Sequence, residues 1–265
     1  MNRFDRLFHI AYVRPPSDSY INCVSTNPSK HDIDVTLAKE QHRTYASILK
    51  EAGVEVIELQ SLEAYPDSVF MQDPALLGAT RSIVGRFGEE TRRGEAKALT
   101  DELRSQRAKV GVLNFVNPPG TLEGGDVVVT DRGIFVGDSK RTNTGGIKQL
   151  NNILAKQDVK AVSTELMHLL CGCSYLSNGT MIIAPDLVNS DSFPAFKFIR
   201  IPERESYAAD ALYIGEDKVL IPSGFPTTVF KLKDAGYRPV EIDVSEFWKG
   251  DGGITCLSSP VFELF

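Results

Sequence analysis

One cysteine, one histidine and several carboxylates hold the chemistry that this chain could perform. Cys256 stands in Gly252-Gly253-Ile254-Thr255-Cys256-Leu257-Ser258-Ser259. His168 sits in the apolar run Leu166-Met167-His168-Leu169-Leu170. Acids gather in Tyr65-Pro66-Asp67-Ser68-Val69-Phe70-Met71-Gln72-Asp73 and in Gly120-Thr121-Leu122-Glu123-Gly124-Gly125-Asp126. A thiol, an imidazole and carboxylates suit a thiolate attacking the carbon of a cationic, planar group such as a guanidinium. The paired glycines before Cys256 permit tight backbone geometry and close approach of a substrate.

Each segment also has a plain structural reading. A single Cys often serves as a small buried hydrophobe. His168 in its apolar run reads equally as a core residue, and His9 in a strand competes for the role of proton shuttle. Glu123 and Asp126 could orient a histidine or grip a guanidinium, or could close a turn. Asp67 and Asp73 flank an apolar bend and could converge on one cation or cap turns. Arg86 and Arg141 are candidates to hold a substrate carboxylate through the planar guanidinium fork, with surface ion pairing as the alternative. No phosphate-binding glycine signature is present.

The elements that must position these residues alternate. Leu7 to Val13 reads as a strand, Ile33 to Ala52 as a helix stopped by Gly53, and Val54 to Leu59 as a strand. Strands over Ala75 to Ala79 and Ser82 to Arg86, a charged helix over Glu90 to Arg107, and a strand over Lys109 to Leu113 repeat the cycle. A hairpin of Asp126 to Thr130 with Gly133 to Val136, a helix over Gly146 to Lys156 and a strand over Lys160 to Ser163 repeat it again. Strands are expected over His168 to Ser174 and Met181 to Ala184. Ala211 to Ile214, Lys218 to Ile221, a helix near Thr228 to Asp234, and Arg238 to Ile242 complete a further round. No linker divides residues 1–265, so the reading is one α/β domain of repeated units.

Composition sets the outer limits. The 265 residues are 42% hydrophobic and 24% charged, as in a globular chain. A net charge of −6 without a Lys/Arg cluster argues against nucleic acid or an anionic membrane as partner. It suits a cationic ligand, and it is also an ordinary solubility charge. No apolar run reaches the length of about 20 residues that spans a bilayer. The start does not read as a signal peptide. Four cysteines without paired CxxC spacing argue for free thiols, a reducing cytoplasmic setting and no structural metal. Oligomeric state is left open, a homo-oligomer included.

Taken together, the ordered motifs resemble the dimethylarginine dimethylaminohydrolase family of the guanidino-group modifying superfamily. The resemblance runs nearly end to end. It rests on Glu40-Gln41-His42, Pro66-Asp67-Ser68-Val69-Phe70, Arg92-Arg93-Gly94-Glu95, Gly120 to Asp126, Ser139-Lys140-Arg141-Thr142-Asn143, His168-Leu169, Glu205 to Ala209 and Asp251 to Cys256. It implies a five-bladed α/β propeller with pseudo-fivefold symmetry and a cofactor-free reaction at the central axis. It implies Cys256 as nucleophile, His168 as general acid and base, and Glu123 as the group orienting His168. It further implies that Asp73 holds the guanidinium, that Asp67, Arg86 and Arg141 contact the amino-acid end, and that Val24 lies on a lid. The implied substrate is a methylated L-arginine, cleaved to citrulline and a methylamine. Arginine deiminases, amidinotransferases and a non-catalytic guanidinium binder are the alternatives. One position departs from the family, which usually has an acid where this chain has Gln72. The expectation is that Gln72 faces the substrate and alters selectivity by removing a charge.

Overall fold

The computed structural model describes residues 6–263 and residue 265. Its strands fall into five groups of three around a common axis. The chain enters through β1 (Phe8–Val13), crosses by helix α1 (Val35–Glu51) and returns as β2 (Glu55–Glu58), parallel to β1. The next units are β3 (Ala75–Gly78), β4 (Arg81–Val84) and β5 (Val112–Phe115), with α2 (Arg93–Leu103) and α3 (Arg107–Val110) in the crossover. Then come β6 (Val127–Thr130), β7 (Gly133–Asp138), α4 (Thr144–Ile153) and β8 (Val159–Ser163). A fourth unit holds β9 (Cys173–Tyr175), β10 (Thr180–Ile183) and β11 (Lys197–Arg200). A fifth holds β12 (Leu212–Gly215), β13 (Lys218–Pro222), α5 (Pro226–Asp234) and β14 (Arg238–Ile242). A short helix, α6 (Ser245–Lys249), leads to the last strand, β15 (Ser258–Phe262).

Every unit has the same pairing. An inner strand runs antiparallel to the middle strand, and the middle strand runs parallel to the outer one. The first unit takes its inner strand from the far end of the chain, because β15 pairs with β1 from Ser258 opposite Val13 to Phe262 opposite Phe8. This is the five-bladed α/β propeller expected from the sequence. Beyond its own blade, β15 also meets β3 at Val261 and Phe262. Pro260 is tolerated inside it because the β3 pairing begins one residue later.

Local chemistry explains the elements. Asp34 caps α1 by accepting from the amides of Thr36 and Leu37. The buried face of α1 carries Ala38, Tyr45, Ala46 and Leu49 at helical spacing. The inner strand β6 is buried on both faces, so its Val-Val-Val run shows no alternation. Two expectations are corrected. The run Lys109 to Leu113 is not a strand from its start: α3 continues to Val110 and Gly111, at φ +61°, turns the chain into β5. The run His168 to Ser174 begins as a 3-10 turn, Leu169–Cys171, and only then becomes β9, since a buried turn can be as apolar as a strand. The fourth blade crosses through a single 3-10 turn, Ser190–Ser192, where the other blades use a helix.

The feature that matters most for function is how the inner strands begin. Each is preceded by a 3-10 turn: Pro66–Val69, Gly124–Asp126, Leu169–Cys171, Glu203–Ala209 and Thr255–Leu257. Five equivalent turns therefore bring five stretches of sequence to one end of the ring.

Candidate active site

Those turns deliver the polar groups singled out from sequence, and they are buried. Glu123 is fully buried and precedes the second turn. His168 immediately precedes the third. Its Nε2 lies 2.8 Å from Glu123 Oε2, and its Nδ1 lies 3.7 Å from Asp73 Oδ1. Glu123 Oε1 in turn accepts from the Gly88 amide at 2.8 Å and lies 3.8 Å from Arg141 Nη1. Asp126 accepts from the Leu169 amide at 3.0 Å and from Ser139 Oγ at 2.7 Å, so it pins the turn that carries His168. Gly125 is needed for space: a Cβ there would stand 2.6 Å from His168 Nδ1 and 2.8 Å from Asp73 Oδ1.

Cys256 lies in the fifth turn, buried at 8% exposure. The turn is anchored from two sides. The Gln72 amide donates to the Cys256 carbonyl at 3.2 Å, and the Thr255 amide donates to Asp210 Oδ1 at 2.7 Å. The two glycines before it serve close packing by the protein itself. A Cβ on Gly252 would strike the Phe70 ring at 2.2 Å, and one on Gly253 would strike Asp210 Oδ2 at 2.2 Å.

Asp73 is held by Arg92, whose Nη1 donates to Oδ2 at 2.8 Å. The other oxygen, Oδ1, is buried and accepts no hydrogen bond. Arg92 is itself fixed by a two-point contact to Glu95, at 3.0 and 2.9 Å, and its guanidinium lies 4.6 Å over the Phe87 ring. Asp67 accepts from the Val24 amide through both oxygens at 3.1 Å. Val24 thus closes over the pocket within a strap in which Ser25 bonds the Lys249 carbonyl and Thr26 bonds Asp251. Arg141 Nη1 is buried and has no hydrogen-bond partner.

Val24, Asp67, Phe70, Asp73, Arg92, Arg141, His168 and Cys256 line one cavity of about 20 Å³. Two expectations fail here. Gln72 does not face this cavity. Its amide donates to the Gly124 carbonyl at 3.2 Å and its side chain lines a separate apolar cavity on the axis, beside Leu170 and Thr255. Arg86 also stays outside; it bridges to Leu122 and its Nη1 reaches the Gly120 carbonyl at 3.4 Å. Arg92, not Arg86, lines this cavity. It has no role assigned from sequence, where it stands only within a charged helix and in the Arg92-Arg93-Gly94-Glu95 motif. Asp210 was missed as well, because Ala209-Asp210-Ala211 carries no pattern.

Electrostatics follow from burial and pairing. Burial works against a charged His168, but Asp73, Glu123 and Asp126 outweigh it and hold its pKa above the usual imidazole range. Burial likewise opposes charge on Glu123, yet the bond from His168 and the nearby guanidinium groups keep it well below the usual carboxylate range. The two form an ion pair. Burial, with Asp210 and Asp73 adding to it, pushes the Cys256 thiol well above its ordinary value. Burial also lifts Asp126 and Asp210 to about 6. Asp73, Glu123 and His168 offer ligand-type atoms within 4.8 Å of one another, a grouping among the described residues that could hold a metal; in the structure His168 lies against both acids, Glu123 accepts from Gly88 and Asp73 from Arg92.

A family profile described as N,N dimethylarginine dimethylhydrolase, eukaryotic, matches residues 16–192. A protein of Pseudomonas aeruginosa named N(G),N(G)-dimethylarginine dimethylaminohydrolase is 35% identical over 255 residues, covering 95% of this chain and 99% of its own. The chain belongs to the dimethylarginine dimethylaminohydrolase family. An uncharacterized protein of Aeropyrum pernix is 38% identical over 98% of both chains. Among solved structures, a cysteine-to-serine mutant of the dimethylarginine dimethylaminohydrolase from Pseudomonas aeruginosa, complexed with citrulline, superposes with a TM-score of 0.90 at 34% identity. It covers 96% of this chain and 100% of its own. A histidine-to-glycine dimethylarginine dimethylaminohydrolase, captured as an adduct with S-methyl-L-thiocitrulline, gives 0.89 at the same identity. The N-terminal domain of a cyanobacterial arginine dihydrolase shares the fold, with a TM-score of 0.87 at 20% identity.

Proposed function

We propose that the chain is a cysteine-dependent hydrolase that converts an Nω-methylated L-arginine to L-citrulline and a methylamine. The observation that carries this reading is the meeting of Cys256, His168 and the unpartnered Asp73 Oδ1 in one buried cavity. The related structures with citrulline and S-methyl-L-thiocitrulline support the same substrate class.

In this reading Asp73 Oδ1 accepts from the substrate guanidinium, and the buried Arg141 Nη1 receives the substrate carboxylate. Asp67 takes the amino group. The resting thiol is protonated. A guanidinium beside it supplies the positive charge that favours the thiolate. Sulfur attack on the guanidinium carbon gives a tetrahedral adduct. His168, charged through its contacts with Glu123 and Asp73, gives a proton to the departing nitrogen. The carbon stays bonded to Cys256 until His168, now neutral, takes a proton from water. The resulting hydroxide attack releases citrulline and the thiol. Gly88 and Arg141 hold Glu123, which keeps the His168 ring oriented. A cavity of about 20 Å³ has room for one or two waters, so the strap around Val24 must swing aside for an amino acid to enter. Four free thiols fit a cytoplasmic setting.

Side-by-side turnover of arginine, monomethylarginine and asymmetric dimethylarginine tests the reading, with citrulline and the amine both measured. Equimolar citrulline and methylamine from the methylated substrates is the expected outcome. Preferential release of ammonia from arginine would reassign the chain as a deiminase. Transfer of the carbon to an added amine would reassign it as an amidinotransferase.

A further inference from the structure

Behind the Cys256 turn lies a second cavity, of about 280 Å³. Met167, Asp251 and Gly252 form the wall it shares with the catalytic pocket. Its lining combines two aromatic side chains, Tyr207 and Trp248, with two carboxylates, Asp210 and Asp251. No Lys or Arg among the described residues lines it.

Asp210 decides what the cavity suits. It is 3% exposed. The Thr255 amide donates to Oδ1 at 2.7 Å, and Oδ2 lies beside Gly253. A buried carboxylate with no Lys or Arg beside it in the cavity is costly, and a small cation there would offset part of that cost. Aromatic walls add attraction for alkylated ammonium ions, whose charge is spread over methyl groups. Citrulline is a poorer fit, since its carboxylate would meet two acids and no guanidinium.

We infer that this cavity receives the alkylammonium product, the methylammonium or dimethylammonium ion formed after the leaving amine departs and takes a proton from solvent. This rests on the reaction assigned above. Alkylamines resemble the lysine side chain in basicity, so they are cations at neutral pH. A holding site on the far side of the Cys256 turn would clear the leaving group from the face that water must reach.

Trp248 is the chain's single tryptophan, so intrinsic fluorescence reports on the cavity directly. The intact protein would be titrated with dimethylammonium chloride, against potassium chloride at equal ionic strength. A saturable change with dimethylammonium alone is expected, and Asp210→Asn should weaken the apparent affinity at least tenfold. Asp251→Asn gives a second arm should the first variant fail to fold, again with weaker binding expected. Citrulline at saturation should leave dimethylammonium binding in place. No saturable change, equal affinity in both variants, or displacement by citrulline would each overturn the inference. Saturable, Asp210-dependent binding in a protein that does not turn over asymmetric dimethylarginine would support the cation site and overturn the reaction instead.

Discussion

At the scale of single residues, burial is what separates the site from its surroundings. Cys256 at rest is a protonated thiol because burial and two nearby acids disfavour the thiolate. Alkylation by neutral iodoacetamide should therefore keep rising as pH is raised from 7 to 9, followed by mass spectrometry of the Cys256 peptide. A plateau below pH 8 would mean that the thiolate forms without substrate. Gln72 carries a different lesson. Its amide donates to Gly124 in an apolar cavity, so Gln72→Glu would bury a carboxylate against a carbonyl. The expected loss is about 1–3 kcal/mol of stability, seen as a lower Tm, with the ratio of kcat/KM for cationic and neutral ligands unchanged. Asp210 tests the cost of buried charge. Its pKa rises from 3.8 to about 6 on folding, so its stabilising influence is complete below pH 4 and is lost as pH climbs through 6. Asp210→Asn keeps an acceptor for Thr255 and removes the charge, so its Tm relative to wild type should increase between pH 5 and pH 8. An offset independent of pH would show that Asp210 is not buried as an ion. The thiol, imidazole and acids were legible from residue type and local glycines. Arg92 and Asp210 were not, because only the fold reveals that a charged helical run and a lone Asp point inward. Gln72 was misplaced because neighbours in a tight turn diverge, Asp73 entering one cavity and Gln72 another.

At the scale of elements, the site is a property of the turns that open the inner strands. The longer helices and most outer strands were readable from periodicity, as α1 shows with its stop at Gly53, whereas β11 and α6 were not anticipated. The turns were harder. Leu169–Cys171 is as apolar as a strand, and the buried strand Ser258–Phe262 was assigned no element from sequence. What makes such turns specific is space rather than unusual backbone angles. Gly125→Ala would place a methyl group between His168 and Asp73. A stability loss of about 1–3 kcal/mol is expected, and kcat should fall more than tenfold because the imidazole must move. Wild-type kcat in that variant would show that the His168 geometry tolerates displacement, against the role given to it.

At the scale of the whole molecule, the ring closes only when β15 pairs with β1. The strand that follows Cys256 therefore completes the first blade and fixes the nucleophile in one step. Ending the chain after Leu257 would leave β1 and β3 with open edges. The truncated protein should be insoluble or show no cooperative melting, and a cooperative melt near the wild-type Tm would contradict this closure. Repetition was legible as a recurring order of elements and its fivefold number came from the family resemblance, while the closure was not legible, since pairing between residues 8 and 262 leaves no local trace. The acidic net charge said little beyond arguing against nucleic acid, because the acids that matter are buried. The central claim is that the guanidino carbon passes through a bond to Cys256. It is tested most directly by acid-quenching the enzyme during turnover of asymmetric dimethylarginine and mapping the adduct by mass spectrometry. The account predicts a substrate-derived mass on the Cys256 peptide, lost in Cys256→Ser; an adduct on Cys171 or Cys173, or citrulline formed by the Cys256→Ser protein, would contradict it.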